Sequence, residues 1–240
     1  MGITVTAGNS GAANNFSQRI ENVRIFAGST ITISCYVKAT SAASVGSQIV
    51  QSFGSGGSTT VVRGAGTFNF TTDWQRLSLT VDALSVLGKT LGTNHYLEII
   101  WGLPVNQTRT YYFSEVQVEP GSIATDFEQR FPGEEFLLAS RYFLPAGKGA
   151  TGAVSSSSTV VLGLSFPQQM AQNPIISIRD TPAIWIIKSG AIINPSGTPS
   201  IVNVTPSNTG LTVTISGFSS LTANDAVVST SNCFNVNADL

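Results

Sequence analysis

Apolar and polar residues alternate with a period of two along most of this chain, and this pattern constrains its fold more than any other feature. In residues 31–38 the odd positions are apolar and the even positions are polar or amphipathic. Residues 76–81 and 96–101 repeat the alternation, which places successive side chains on opposite faces of a β-strand. Glycine-rich breaks such as residues 53–58 separate these runs, as turns require. Many short strands, each with one apolar face, predict an all-β protein folded as a β-sandwich or jelly roll.

The composition excludes several classes of partner. The 240 residues include 30 Ser, 26 Thr and 23 Gly, and only 10% are charged, whereas about a quarter of a soluble chain is usually charged. A net charge of −1 argues against nucleic acid as a partner, because phosphate binding needs clustered Lys and Arg. No apolar run approaches the roughly 20 residues that span a bilayer, so we expect no membrane insertion. Residues 1–6 lack the basic start and apolar stretch of a signal peptide.

One segment departs from the alternation. Residues 132–143 begin with Pro132 and two glutamates, continue with leucine and alanine, and carry Arg141 near the end. Acidic residues early and a cation late suit the helix dipole, which predicts a short helix. Residues 1–143 carry nineteen charges, whereas residues 144–240 carry six. We therefore expect three parts: a jelly-roll domain in residues 1–130, a helical hinge in residues 131–145, and a second, smaller β-sandwich in residues 146–240.

Residues that could carry out catalysis or hold a metal form no recognisable pattern. The single histidine, His95, is accompanied by neither a Gly-x-Ser-x-Gly turn nor a zinc motif, so we interpret it as a loop histidine near the start of a strand. Cys35 and Cys233 are the only cysteines, and we expect both to be buried free thiols in a protein made in a reducing cytosol. The sequence predicts a protein that is not an enzyme and binds no metal.

Five strings of the sequence follow one another in the order and spacing of a known group of proteins. The strings are residues 17–23, 27–39, 72–76, 117–128 and 130–143. Together they cover about residues 3–143. In these strings the chain resembles tailed-bacteriophage fibre and adsorption (receptor-binding) proteins that carry a carbohydrate-binding-module-like jelly roll.

The resemblance implies a virion structural protein, made in the host cytoplasm and exposed on the extracellular particle. It implies a tail fibre or receptor-binding fibre that recognises host surface polysaccharide or another glycan without catalysis, and that forms a homotrimer among other virion proteins. It implies no cofactor. Domains of this family sometimes hold a structural calcium ion, but the sequence has no compact Asp cluster to support one. Family jelly rolls usually begin with further strands upstream, so we expect another chain, or more of a longer fibre, to complete this one.

Two alternatives to a glycan-binding fibre stay open. The first is a head fibre, capsid decoration or connector protein with a purely structural role, because this type of domain is reused at several positions in virions. The second is the binding module of a secreted carbohydrate-active enzyme. The lack of a signal peptide and the junction that follows Glu128 count against the second.

The alternation also predicts where a glycan would bind. It places Tyr36, Tyr96 and Tyr111 on outward strand faces, together with the hydrogen-bonding residues Glu98 and Gln117. A tyrosine ring offers a stacking surface at little entropic cost, so these five residues form the candidate glycan site. The alternative is that the tyrosines lie in a subunit interface or cover a sheet edge. The same pattern predicts that four other side chains are buried in the core: Trp74, Trp101, Val116 and Val118.

The predicted helix carries apolar side chains that are candidates for contacts between subunits. Phe136 and Phe143 lie seven residues apart, and therefore share a face of a helix that extends through both. We expect Phe136, Leu137 and Phe143, with Leu138, to bury surface against copies of the chain and to form the hinge. The alternative is a monomer in which the helix packs on its own sandwich.

Overall fold

Nearly all regular structure in this protein is β-strand. The computed structural model describes residues 1–7, 14–82, 84–105, 107–179, 184–188, 191–193 and 197–238. The prediction of an all-β sandwich protein is confirmed. The chain divides into two compact units, Met1–Gln129 and Arg130–Leu240. None of the helical structure in the described residues is long and apolar enough to cross a membrane.

The first unit is built from eight strands. They are β1 (Gly2–Val5), β2 (Asn14–Glu21), β3 (Ile31–Ala39), β4 (Ala43–Ser52), β5 (Val61–Phe70), β6 (Gln75–Val81), β7 (Tyr96–Leu103) and β8 (Arg109–Pro120). Sheet I has the order β1-β8-β3-β6 and sheet II the order β2-β7-β4-β5. The pairs β1–β8, β2–β7, β3–β6 and β4–β5 are all antiparallel. This nested pairing is that of an eight-stranded jelly roll.

The inward faces of the two sheets enclose one apolar core. Ile33 on β3 and Ile99 on β7 are fully buried, as the alternation predicts. Trp101 is also fully buried; its ring stacks on Phe16 with centroids 5.4 Å apart and meets Phe113 edge-on at 5.8 Å. Such aromatic pairs add about 0.5–1.5 kcal/mol beyond their buried area. The core prediction for Trp101 is confirmed.

A β-bulge in β8 reverses the faces that the alternation predicts for part of this strand. Glu115 adopts a left-handed backbone with φ of 50°, and the register between β3 and β8 shifts beside it. One extra residue in a strand exchanges its inward and outward positions. Tyr111 is consequently in the core with 0% exposure, so its predicted outward position is wrong. Val116 is exposed rather than buried, whereas Val118 packs against the core as predicted.

Helix α1 (Pro132–Ser140) lies at the start of the second unit. Pro132 occupies its first turn with Glu134 and Glu135, which favours this end of the helix. The helix ends at Ser140, so Phe143 belongs to the following strand, and the prediction that Phe136 and Phe143 share a helix face is wrong. Phe136 is 58% exposed in the single chain, and Leu137, Leu138 and Phe143 are exposed as well.

The second unit is also a two-layer β structure. Its strands are β9 (Phe143–Ala146), β10 (Thr151–Ser156), β11 (Thr159–Ser165), β12 (Ile175–Ile178), β13 (Ile184–Lys188), β14 (Ala191–Ile193), β15 (Gly197–Ser207), β16 (Gly210–Phe218), β17 (Ala226–Ser229) and β18 (Phe234–Asn237). The larger sheet has the order β14-β13-β17-β10-β11-β16-β15, and the smaller has the order β12-β18-β9. Leu162 and Val213 from the larger sheet pack in one core with Phe234 and Val236 from the smaller.

Candidate functional site

The five residues predicted as a glycan site do not come together. Tyr36 and Gln117 lie on the outer face of sheet I, because they pair across β3 and β8 with residues of the outward set. Tyr96 and Glu98 lie on the outer face of sheet II, opposite β2. Tyr111 is in the core between the sheets. A single platform made of all five residues is therefore wrong.

On sheet II, Arg19 already contacts both Tyr96 and Glu98. The Arg19 guanidinium carbon lies 4.5 Å from the centroid of the Tyr96 ring. Arg19 Nε is 3.4 Å from Glu98 Oε1, and Ser17 Oγ donates a hydrogen bond to the same oxygen at 2.8 Å. One stacking face of Tyr96 and one carboxylate oxygen of Glu98 are thus engaged within the protein. The outer face of sheet II therefore has fewer groups available to bind a sugar than its residue types suggest.

Sheet I carries a cluster of accessible aromatic rings on its outer face. Tyr112 on β8 lies opposite Lys38 on β3, and Trp74 directly precedes β6. The Trp74 and Tyr112 rings meet edge to face with centroids 6.3 Å apart. Tyr36 lies two residues from Lys38 on the same face of β3 and is 36% exposed. We call these four residues, Tyr36, Lys38, Trp74 and Tyr112, the aromatic patch.

Trp74 is 47% exposed, so its prediction as a core residue is wrong. Leu77 and Leu79 face the core from β6, and Arg76 faces outward opposite Tyr36. Trp74 has the parity of Arg76, so extending the alternation by two residues would have placed it outward. The alternation thus indicated the outward position of Trp74, but the prediction followed the usual burial of tryptophan instead.

Small residues and hydroxyl groups surround the aromatic patch. Gly2 on β1 lies opposite Tyr112, and a Cβ atom there would come within 3.1 Å of Tyr112 Cε1. Glycine therefore lets the tyrosine ring lie close over β1. The hydroxyls of Thr4 and Thr110 are 2.9 Å apart, and Ser114 is exposed opposite Tyr36. The patch thus combines stacking surfaces with groups that can donate and accept hydrogen bonds.

The remainder of this outer face is covered by residues 121–128, which we call the strap. Thr32 Oγ1 donates to Gly121 O at 2.8 Å, Thr80 Oγ1 donates to Ser122 O at 3.4 Å, and the Arg76 guanidinium donates to Thr125 O. The strap therefore contacts both β3 and β6. It explains why Thr32 and Ser34 are buried although they point away from the core.

Gln117 and Glu119 hold the strap to β8. Glu119 accepts hydrogen bonds from Thr125 Oγ1 at 2.6 Å and from Thr125 N at 2.9 Å, and a third from Gln117 Nε2 at 3.1 Å. These donors, the Thr125 hydroxyl first, lower the pKa of Glu119. Gln117 Oε1 accepts from the backbone N–H of Glu128 at 2.9 Å. Gln117 thus serves the strap, and only Tyr36 of the five predicted residues joins the patch.

Histidine and cysteine, the residue types that often act in catalysis or metal binding, make structural contacts in this protein. His95 Nδ1 accepts a hydrogen bond from the backbone N–H of Val23 at 3.2 Å, just before β7 begins, which agrees with a loop histidine. Cys35 and Cys233 are buried thiols that form no disulfide, as expected, and burial raises the pKa of Cys35 to about 12. Within residues 1–7, 14–82, 84–105, 107–179, 184–188, 191–193 and 197–238, His, Cys, Asp and Glu form no group of three that could hold a metal ion.

Comparisons with known proteins assign no family. No protein-family profile matches the chain, and no curated protein matches it. Among solved structures, one described as "CBM4 structure and function" aligns with 24% identity and a TM-score of 0.33, over 45% of this chain and 61% of that one. The chain thus spans less than two thirds of this weak neighbour, a carbohydrate-binding module. The chain's own sheets define it as a β-sandwich protein with an exposed aromatic patch.

Proposed function

We propose that this chain is a non-catalytic binding protein whose first unit holds a saccharide on the outer face of sheet I. The observation that carries the proposal is the aromatic patch, in which the half-exposed Trp74 ring lies against Tyr112 and Lys38. Exposed aromatic rings beside hydroxyls and amides suit sugars, whose C–H faces stack on rings while their hydroxyls form hydrogen bonds.

The biological setting that we propose is a tailed-phage fibre. The strings that resemble fibre and adsorption proteins support it, including residues 117–128, in which β8 is joined to the strap. In this setting the saccharide is a glycan of the host surface, and the protein acts on the outside of the virion. The low charge and the many hydroxyl groups of the chain suit a particle component that stays soluble without a strongly charged surface.

The test is binding to an array of bacterial capsular polysaccharides and lipopolysaccharide O-chains. Trp74→Ala is expected to weaken binding about tenfold or more, which corresponds to about 1.4 kcal/mol. Tyr96→Ala is the matched control, because it removes an aromatic ring from the outer face of the opposite sheet. Unchanged melting temperatures would establish that both variants fold. Loss of binding in the Tyr96 variant alone, or no binding by the parent protein, would contradict the proposal.

A second candidate function is structural, as a head fibre, decoration or connector. The exposed apolar side chains of α1 and β9 favour it, because Phe136, Leu137, Leu138 and Phe143 are all exposed in the single chain. Apolar side chains grouped in this way suit contacts with another subunit. In this function, assembly would depend on these residues and no glycan would bind. The glycan array separates the two functions, because only the first predicts binding to a saccharide.

A further inference from the structure

The positive charge of Lys38 lies close to both the exposed Trp74 ring and the half-buried Tyr112 ring of the aromatic patch. Lys38 Nζ is 5.2 Å from the centroid of Trp74 and 5.1 Å from that of Tyr112. Both distances fall within the range of cation–π attraction, which is worth about 0.5–1 kcal/mol at an exposed site. The rings therefore keep the ammonium group at the patch, although they leave its charge unneutralised.

No carboxylate neutralises Lys38 among the described residues of the chain. Arg19 pairs with Glu98, Arg76 with Asp126 and Arg130 with Glu135. The second of these leaves Arg76, the neighbouring cation on sheet I, engaged with the strap. Asp73 precedes Trp74 in the sequence but pairs with no cation in this set. Lys38 is thus the charge that a ligand on the patch would meet.

We propose that the saccharide bound at the aromatic patch is acidic, a sugar with a carboxylate or sulfate substituent that pairs with Lys38. This inference rests on the proposed function and specifies its ligand. Trp74 remains 47% exposed although Lys38 Nζ lies over its ring, and this remaining surface stacks on the sugar ring. Lys38 Nζ, about 5 Å from the ring centroid, is close enough to reach a substituent at the edge of a stacked pyranose. A hydrogen bond between an ammonium and an anion is stronger than one between neutral groups.

The test compares polysaccharides that differ only in charge. The probes are alginate against carboxyl-reduced alginate, and dextran sulfate against dextran, with binding measured at low and at high salt. The parent protein is expected to bind at least one acidic probe about tenfold more tightly than its neutral counterpart, with a preference that falls as salt screens the charge. The two pairs distinguish carboxylate from sulfate as the source of the charge.

Lys38→Met is expected to abolish this preference, so that the acidic and the neutral member of each probe pair bind the variant equally. Lys89→Met is the matched control, because Lys89 Nζ also lies over an aromatic ring of the first unit, 5.5 Å from the centroid of Phe53. The control variant has the same net charge as the Lys38 variant and should keep the preference. If both variants lose it equally, overall charge is responsible and the inference is wrong.

The outcomes also separate this inference from the proposed function. Equal binding of acidic and neutral probes, abolished by Trp74→Ala, would keep the saccharide site and overturn its acidic specificity. No binding to any probe or array glycan would overturn both. An acidic preference that depends on Lys38 and Trp74 together supports both.

Discussion

At the scale of single residues, Glu119 links the strap to sheet I through its charge. Its carboxylate accepts hydrogen bonds from the Thr125 hydroxyl, the Thr125 amide and the Gln117 amide, and these lower its pKa. A carboxyl with a lowered folded-state pKa contributes stability that is present above its unfolded pKa. The contribution is lost as the pH falls through the folded value. Acid should therefore weaken the attachment of the strap to β8.

Thr125→Val tests this linkage, because valine has a similar shape and no hydroxyl. The pKa of Glu119, followed by NMR titration of its carboxyl carbon, should rise toward the ordinary value for glutamate. In the parent protein, the protection of the residue 125 amide, measured against its intrinsic exchange rate at each pH, should fall as the pH is lowered through the folded pKa of Glu119. Thr80→Val is the control, since Thr80 contacts the strap through Ser122 and does not contact Glu119. A Glu119 pKa that is the same in both variants would contradict the assigned cause.

At the scale of elements, the bulge at Glu115 decides which side chains of β8 reach the core. A left-handed backbone costs a residue with a Cβ about 1–2 kcal/mol, whereas glycine elsewhere in a strand costs about 0.5–1 kcal/mol of chain entropy. Glu115→Gly is therefore expected to raise the free energy of unfolding by about 0.5–1 kcal/mol. Ser114→Gly, the neighbouring control, should lower it by a similar amount. Urea denaturation measures both, and equal losses would mean that the bulge carries no strain.

The sequence predicts the structure of an element well where neighbouring residues determine it, and poorly where residues far apart in the chain do. Alternation predicts the inward faces of β3, β6 and β7 because it is a direct consequence of strand geometry. It fails in β8 because nothing about a glutamate signals a left-handed residue, as glycine or asparagine would. The strap is equally hidden, since its hydrogen bonds join residues such as Thr32 and Gly121 that lie far apart in the chain. The bulge in β8 and the strap are the two reasons why the predicted glycan site was wrong. Trp74 was left out of that site for a third reason, because it was assumed to be buried.

At the scale of the whole molecule, the apolar side chains of α1 and β9 predict assembly. We expect multi-angle light scattering to give the mass of a trimer for the intact protein, and Phe136→Glu to reduce that mass because a charge would enter a buried contact. Glu134→Gln, an exposed change on the same helix, should leave the mass unchanged. The mass of one chain for the parent protein would exclude the trimer. An unchanged trimer in the Phe136 variant would place the contact elsewhere.

The strap has a mechanical consequence for a protein that is pulled while attached to a surface. Tension applied to the chain beyond Gln129 enters the first unit through residues 121–128. It loads the side-chain hydrogen bonds of Glu119 and Gln117 before it reaches the ladder of β8, a strand that is paired on both sides. Once these bonds and those from Thr32, Thr80 and Arg76 to the strap are broken, the chain lengthens by several residues and Thr32 and Ser34 are uncovered, while the jelly roll stays closed. The strap would thus yield first under force and leave the aromatic patch intact on the folded sheet.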